Sequence, residues 1–230
     1  MARFDTVQDV IDLLNKNNVQ YLILRNYKNL LEDGIYEGGH EDIDFLVQDS
    51  KEVVQLLGAI SNRKREDNTH YHIFVQNNRI NLDLRHVGDG YYCQKWQDEM
   101  MERRVKYLCF YVMDDENYYY SLCYHAIIQK RKLTKEYLSR LNSMAEALSI
   151  PKGMYGDEEK LIKGLQSFMR KKGYLFTYTE DPSIPLRFRL VNKGLIEHNF
   201  NRYIRHLLFF LYISLYMLAR NLKTKLLKYI

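Results

Sequence analysis

Residues 38–45 read Gly-Gly-His-Glu-Asp-Ile-Asp-Phe, and this stretch gives the strongest indication of the fold. Its residues Asp42 and Asp44 fall on a predicted strand. Because side chains alternate across a strand, both carboxylates leave on one face, while Ile43 and Phe45 leave on the other. Two carboxylates about 4 Å apart repel by roughly 4 kcal/mol at an effective dielectric constant near 20, and a divalent cation would turn this repulsion into attraction. The stretch therefore predicts a strand with a cation site on its polar face.

A third carboxylate, Asp83, lies in a second predicted strand, residues 79–87. In this strand apolar and polar residues alternate, with Ile80, Leu82 and Leu84 on one face and Asn81, Asp83 and Arg85 on the other. If the two strands pair, Asp42, Asp44 and Asp83 converge on Mg²⁺, which prefers carboxylate and phosphate oxygens. Two such ions activate a hydroxyl and neutralise charge on a phosphate, so the pattern predicts phosphoryl or nucleotidyl transfer.

These segments resemble the DNA polymerase β-type nucleotidyltransferase superfamily, in which a glycine turn precedes an Asp-x-Asp pair and a separate strand supplies a third Asp. The residues that carry this resemblance are Gly38-Gly39, Asp42-Ile43-Asp44 and Asn81-Leu82-Asp83-Leu84. Further segments are similar to an uncharacterised branch associated with surface-polysaccharide pathways: Leu24-Arg25-Asn26-Tyr27, Tyr124-His125-Ala126 with Lys130, and Gly173-Tyr174 leading to Asp181-Pro182-Ser183. The resemblance covers roughly residues 6–185. It implies that Asp42, Asp44 and Asp83 are the catalytic metal ligands, with two Mg²⁺ ions as cofactors.

The phosphate-binding residues depart from the superfamily pattern. In that pattern Gly-Ser directly follows the first strand, whereas here Arg25-Asn26-Tyr27 follows it, and the glycines expected to bind phosphate, Gly38 and Gly39, stand before the carboxylates. Arg25 would replace the turn through a bidentate contact with phosphate. The resemblance adds Lys130 and His125 as phosphate contacts.

Three candidate phosphate-binding residues have ordinary alternatives. Arg85 is either a phosphate ligand or a charge partner of Asp83 on the same face. His125 is either functional or a hydrogen-bonded structural residue of its helix, and Lys130 is either a phosphate ligand or a cation at the negative end of the helix dipole.

The expected donor is a nucleoside triphosphate or a CDP-linked compound, and the expected acceptor is a hydroxyl of a sugar, glycan or protein. Phosphotransfer from a CDP-linked donor in surface-glycan synthesis, protein adenylylation and a catalytically inactive adaptor remain as alternatives. A nucleic-acid substrate is not expected, because residues 1–200 carry 28 basic against 29 acidic residues and many phosphate contacts need clustered cations.

The C-terminal tail carries the excess positive charge. Residues 201–230 contain no acidic residue and six of the 34 basic residues, namely Arg202, Arg205, Arg220, Lys223, Lys225 and Lys228. Fourteen uncharged residues, 206–219, lie between Arg205 and Arg220, fewer than the roughly 18–20 that a bilayer span requires. Two interpretations stay open for residues 203–230: an interfacial helix on a membrane or a partner surface, and a helix buried against the domain or in a homodimer.

Length and pattern predict an α/β (α+β) fold. We expect a small mixed or antiparallel sheet in a nucleotidyltransferase-like catalytic domain at residues 1–115, a helical subdomain closing the site at 116–185, and the basic hydrophobic tail at 186–230. The hydrophobic share of 46% in 230 residues supports one sizeable core. Three cysteines without metal-ligand spacing and a start without an apolar signal stretch favour a cytoplasmic protein, peripheral on the inner membrane face if the tail binds lipid.

Overall fold

Eight strands form one sheet in the part of the chain that the computed structural model describes, residues 3–32, 42–62 and 69–226. The strands are β1 (Arg3–Phe4), β2 (Tyr21–Ile23), β3 (Asp42–Val47), β4 (Ile60–Ser61), β5 (His70–Val75), β6 (Asn78–His86), β7 (Val105–Tyr107) and β8 (Phe110–Val112). The α-helices in these ranges are α1 (Val7–Lys16), α2 (Ser50–Leu57), α3 (Gln94–Glu102), α4 (Asp115–Ile128), α5 (Lys135–Ala147), α6 (Glu158–Lys172) and α7 (Phe200–Leu226).

The sheet is mixed, with strand order β1-β5-β6-β3-β2-β8-β7 and β4 added beside β5. At its centre β3 pairs with β6 in parallel and with β2 in antiparallel orientation. The predicted α/β class with a mixed sheet is confirmed, but the sheet, with eight strands in the described ranges, is larger than the small one expected. The predicted division into three parts at residues 115 and 185 stays a prediction.

Each face of the sheet is covered by its own hydrophobic cluster. Ile43, Phe45, Leu82 and Leu84 belong to the cluster that includes the buried faces of α1 and α2. The opposite face holds Leu46, in the cluster formed with α3, α4, α5 and α6. Because side chains alternate along β3 and β6, the carboxylates share the second face, below the helical layer.

Side-chain caps mark the starts of α1, α5 and α6. Thr6 and Asp9 form a capping box at the start of α1, with Thr6 Oγ1 accepting a hydrogen bond from the Asp9 amide and Asp9 accepting from the Thr6 amide. Thr134 and Asp157 accept hydrogen bonds at the starts of α5 and α6. Side-chain caps stabilise a helix by about 1 kcal/mol each.

The residue pattern predicts a two-residue turn at Asn77-Asn78 between strands 70–76 and 79–87, and a single strand at 106–113, and both of these predictions are wrong. The β5–β6 hairpin turns over Gln76 and Asn77, one residue earlier than the expected Asn77-Asn78, because Val75 pairs with Asn78 and Gln76 adopts φ of 54°. The expected single strand at 106–113 is a hairpin of β7 and β8, since Leu108 also adopts φ of 54° and reverses the chain.

The turn Gly88-Asp89-Gly90, which follows β6, packs against the start of α7. Gly90 has φ of 74°, and an added Cβ would stand 2.4 Å from both Tyr178 O and Arg202 Nη1. Arg202 Nη2 donates to Gly88 O at 2.5 Å, and His206, which is buried, bonds Thr179 O through Nε2 at 2.9 Å. The start of α7 is therefore fixed to the body of the protein.

Beyond His206 the tail is not buried against the domain, one of the two interpretations left open: of residues 207–218 all but Phe209 are exposed. None of the helices in the described ranges combines the length and apolar character needed to cross a bilayer. The three cysteines Cys93, Cys109 and Cys123 are free thiols, as expected.

Candidate functional site

The carboxylates of β3 and β6 come together through the register of the two parallel strands. Asp44 pairs with Asp83, and Asp42 pairs with Asn81. Neighbouring strands lie about 4.8 Å apart, and paired residues point to the same face. The polar face predicted from the sequence is thus a cluster of Asp42, Asp44 and Asp83. Asp42 is exposed, Asp44 is buried and Asp83 is half-buried.

A cavity of about 510 Å³ opens above these carboxylates. Its described walls also come from the end of β2, from α4 with the residues after it, and from the segment 181–185. Every predicted site residue that the structure describes lines it: Arg25, Asp42, Asp44, Asp83, Arg85, His125 and Lys130. The predicted Gly38 and Gly39 lie outside the described residues.

Arg25 holds Asp44 in a two-point ion pair. Its Nη2 donates to Asp44 Oδ1 at 2.6 Å and its Nε to Asp44 Oδ2 at 3.2 Å, and both side chains are about nine-tenths buried. Burial alone would lower the pKa of Arg25, but the charge of Asp44 outweighs it and the pKa lies well above the ordinary value. Arg25 therefore makes a bidentate contact, but its partner is a carboxylate of the protein, and the contact with phosphate stays a prediction.

The remaining Arg25 donor connects the sheet to α4. Nη1 donates to Tyr91 Oη at 2.8 Å and lies 3.1 Å from His125 Nδ1. Tyr91 Oη also lies 3.1 Å from the same nitrogen. A guanidinium only donates, so the Arg25 contact needs Nδ1 to accept. Gln129 Oε1, 3.3 Å from the same nitrogen, only accepts and needs Nδ1–H to donate, so the ring bonds one of these two neighbours at a time. Burial lowers the pKa of His125 well below 6.5, and the nearby charges of Arg25 and Lys130 lower it further, so the ring is neutral at pH 7.

On the other side of the cavity Arg85 lies among carboxylates. It stacks over the Tyr91 ring at 4.4 Å, and its Nη2 is 3.9 Å from Asp83 and 3.6 Å from Asp181. This arrangement agrees with the interpretation of Arg85 as a charge partner of Asp83. Arg85 Nη1 is buried and has no hydrogen-bond acceptor among the described residues, and a contact of Arg85 with phosphate stays a prediction.

Asp181 adds a fourth carboxylate to the cavity. Its Oδ1 accepts a hydrogen bond from Ser183 Oγ at 2.5 Å. Its Oδ2 is buried without a hydrogen-bond donor in the described part of the chain, 3.6 Å from both Arg85 Nη2 and His70 Nε2. Burial alone would raise the pKa of Asp181, but Ser183 and Arg85 hold it below the ordinary value, so this carboxyl is ionised.

The charges of the cavity nearly balance. Among the described lining residues four carboxylates (Asp42, Asp44, Asp83, Asp181) face four cationic side chains (Arg25, Arg85, Lys130, Arg131). The pKa of Asp83 is raised, first by burial and then by the charge of Asp44 beside it. A cation placed between these two carboxylates would remove that repulsion.

The donors fit Mg²⁺ in kind, but they do not form a ready metal set. No group of three His, Cys, Asp or Glu side chains within residues 3–32, 42–62 and 69–226 is positioned to hold a metal ion. Both oxygens of Asp44 are bonded to Arg25. Carboxylate oxygens are the ligands that Mg²⁺ prefers, so occupation of the site would require Arg25 to release Asp44.

Sequence reasoning did not assign roles to four residues of the site. Tyr91 and Gln129 connect Arg25 to α4, with Gln129 Nε2 donating to Tyr91 O at 2.8 Å. His70 and Asp181 reach the cavity from β5 and from the segment after α6. The segment Asp181-Pro182-Ser183 is among the residues that carry the family resemblance, and it is the signal that could have identified Asp181.

Comparison with known proteins gives little further guidance. No family model matches the chain, and no curated protein matches it. Among solved structures, the fold is similar to that of the antibiotic-resistance factor ANT(2'')-Ia, with a TM-score of 0.39 and 10% identity. The match covers 73% of this chain and 90% of that protein. A likeness of this size carries no argument about the reaction, and the cavity residues must carry it instead.

Proposed function

We propose that the protein is a Mg²⁺-dependent transferase that moves a nucleotidyl or phospho group from a nucleotide donor to a hydroxyl acceptor. The observation that supports this most is the parallel register of β3 and β6. It brings Asp44 beside Asp83, on the same face as Asp42, at the base of a cavity lined by basic residues. Clustered carboxylates with nearby cations are what phosphate transfer needs.

The cavity volume favours a small nucleotide donor. About 510 Å³ lies within the range of small-molecule sites, roughly 300–1,000 Å³. In this proposal Asp42, Asp44 and Asp83 hold the metal, and Asp83 also accepts the proton of the attacking hydroxyl. Bound Mg²⁺ would neutralise the developing charge on the phosphate. Lys130, which is exposed at the cavity, and Arg25 contact phosphate oxygens.

Arg25 has two alternative partners in this proposal: the Asp44 carboxylate, which it bonds in the structure, and a phosphate of the donor. With a donor phosphate and a cation bound, Asp44 would hold the cation, and Arg25 would make its two-point contact to the phosphate instead. Both charges stay neutralised throughout, which avoids the cost of an isolated buried charge. Tyr91 and His125 keep the guanidinium at the cavity wall through its third nitrogen.

Two classes of nucleotide donor fit this proposed reaction. A nucleoside triphosphate would transfer a nucleotidyl group, and a CDP-linked donor a phospho group, to a sugar or lipid-linked glycan hydroxyl. A non-catalytic adaptor predicts a closed surface in which Asp83 is paired with Arg85. That contact is present at 3.9 Å, but the cavity stays open above it, which favours ligand binding.

Thermal unfolding with ligands tests the proposal. The wild type, Asp42→Asn and Asp98→Asn would be measured with Mg²⁺ alone, with ATP, CTP, GTP, UTP and a CDP-linked alcohol, and with each pair. Asp42 is exposed at the cavity, and Asp98 is an exposed carboxylate of α3 outside it, so both variants should fold. A ligand at 100 times its Kd stabilises by about 2.7 kcal/mol, which raises the Tm by roughly 5–10 °C for a chain of this size.

We expect one donor to raise the Tm of the wild type and of Asp98→Asn only when Mg²⁺ is present, and Asp42→Asn to lose the rise. The donor that acts would identify the base and the type of transfer. If no donor shifts the wild type with Mg²⁺, the proposal is wrong. If Asp42→Asn keeps the full shift, the carboxylates do not bind the metal.

A further inference from the structure

The exposed part of α7 is apolar on all sides. Residues 207–218 contain Leu, Phe, Ile, Met and Tyr with a single serine, and all except Phe209 are exposed. Leu208 is 59% exposed, Leu211 52% and Leu215 66%. Twelve residues make more than three helical turns, so these side chains point in every direction around the axis. Isolated exposed apolar residues are ordinary, but a continuous apolar cylinder in water is not.

The two ends of this cylinder are basic. Arg205 precedes it, Arg220 and Lys223 follow it, and residues 201–230 contain no acidic residue. Positions 205, 212, 216 and 223 fall on one side of a helix with 3.6 residues per turn. Tyr212 and Tyr216 lie on that side, with ring centroids 6.5 Å apart. Tyrosine and arginine at one face are typical of a helix at a lipid headgroup boundary.

A second copy of the chain fits this surface poorly. Two paired helices bury one stripe each and leave the other sides in water. Both ends of α7 are basic, so parallel and antiparallel pairing alike would set cations against cations. An anionic lipid surface satisfies both features, because acyl chains and the headgroup boundary together surround the cylinder and anionic headgroups neutralise both ends.

We propose that residues 207–218 of α7 insert into one leaflet of an anionic membrane, lying along it, with the flanking arginines and lysines at the headgroups. Fourteen uncharged residues extend about 21 Å, short of the roughly 30 Å hydrocarbon core, which agrees with insertion in one leaflet. The Arg202 and His206 contacts at the start of α7 join the membrane-bound segment to the body of the protein. This inference is independent of the transfer chemistry.

Vesicle flotation with the full chain tests it. The wild type is mixed with vesicles of phosphatidylcholine, or of equimolar phosphatidylcholine and phosphatidylglycerol. The test variant is Leu211→Gln/Leu215→Gln, which keeps good helix formers at two exposed positions. Leu108→Gln is the matched control, since Leu108 is an equally exposed leucine, at 68%, in the turn between β7 and β8.

The wild type and Leu108→Gln should float with the anionic vesicles and not with phosphatidylcholine alone. Leu211→Gln/Leu215→Gln should remain at the bottom with both, with an unchanged Tm. Added salt should reduce flotation, because it screens the basic ends. Sedimentation velocity on the same samples tests whether a second copy of the chain covers this surface instead. If the wild type is a dimer that does not bind vesicles, and the double variant is a monomer, the proposal is overturned. Equal flotation with neutral vesicles would overturn the role of the charges.

Discussion

Replacing Arg25 by methionine should cost roughly 3–5 kcal/mol in the free energy of unfolding, the usual cost of removing one partner from a buried ion pair. The structure places the change at this level for two reasons. Arg25 makes two short contacts to Asp44, and both side chains are about 10% exposed. Without Arg25 the Asp44 carboxylate would stay buried beside Asp83, which already carries a raised pKa.

Urea unfolding followed by circular dichroism measures this cost. The matched control is Lys160→Met, which removes a cation from the pair with Asp157, where both side chains are about half exposed. Exposed pairs contribute roughly 0–1 kcal/mol. The double variant Arg25→Met/Asp44→Asn should be more stable than Arg25→Met alone, because the charge left behind by Arg25 is removed.

The unfolding free energies of these variants show whether Arg25 and Asp44 act as a buried ion pair. A cost for Arg25→Met no larger than for Lys160→Met would show that the buried ion pair is not a major source of stability. A double variant as unstable as the sum of its single variants would show that Arg25 and Asp44 do not act as a pair.

Three further predictions concern other residues. Trp96→Phe should cost roughly 1–3 kcal/mol, since Trp96 Nε1 donates to buried Asn117 Oδ1 at 2.8 Å; urea unfolding followed by circular dichroism measures it, and a wild-type midpoint would contradict it. The pKa of His125 is lowered in the folded protein, so protonation favours the unfolded chain, and the free energy of unfolding falls as the pH drops below about 6.5. Between about pH 7.5 and about 5.5 His125→Asn should lose less of this free energy than the wild type. An identical pH dependence of the two proteins would exclude this role. Burial alone would raise the pKa of Glu99, but hydrogen bonds, the largest from Lys172, lower it from 4.5 to about 2. The stability that ionised Glu99 contributes is therefore present above pH 4.5 and is lost as the pH falls toward 2. In an acid titration Glu99→Gln should lose less stability than the wild type in that window, and an equal loss would contradict this role.

The alternation of residues along the strands explains why much of the site could be predicted. Asp42, Asp44 and Asp83 alternate with apolar residues that bury against α1 and α2, so their face follows from local pattern alone. The register that sets Asp44 opposite Asp83 depends on strand pairing, and a wrong shift by one residue would have exposed the apolar set. Apolar burial therefore made the prediction robust.

Other features depend on contacts between distant segments. Gln76 and Leu108 both adopt positive φ, which few non-glycine residues do, and nothing in their neighbours indicates it. The pairing of Arg25 with Asp44 requires β2 to lie beside β3, and Asp181 reaches Arg85 from nearly one hundred residues away. Such pairs are fixed by tertiary packing, and a single sequence carries no local trace of them.

Two hydrogen bonds hold the start of α7, from Arg202 to Gly88 O and from His206 to Thr179 O, and they have a consequence for shortened forms of the protein. A chain ending at residue 199 loses both Arg202 and His206, and with them the bonds to the carbonyls of Gly88 and Thr179. A chain ending just after His206 keeps both bonds and omits the apolar cylinder. The two truncations differ by only a few residues, yet only the shorter one frees the segment that leads from Thr179 into Asp181, and so only the shorter one should disturb the cavity wall.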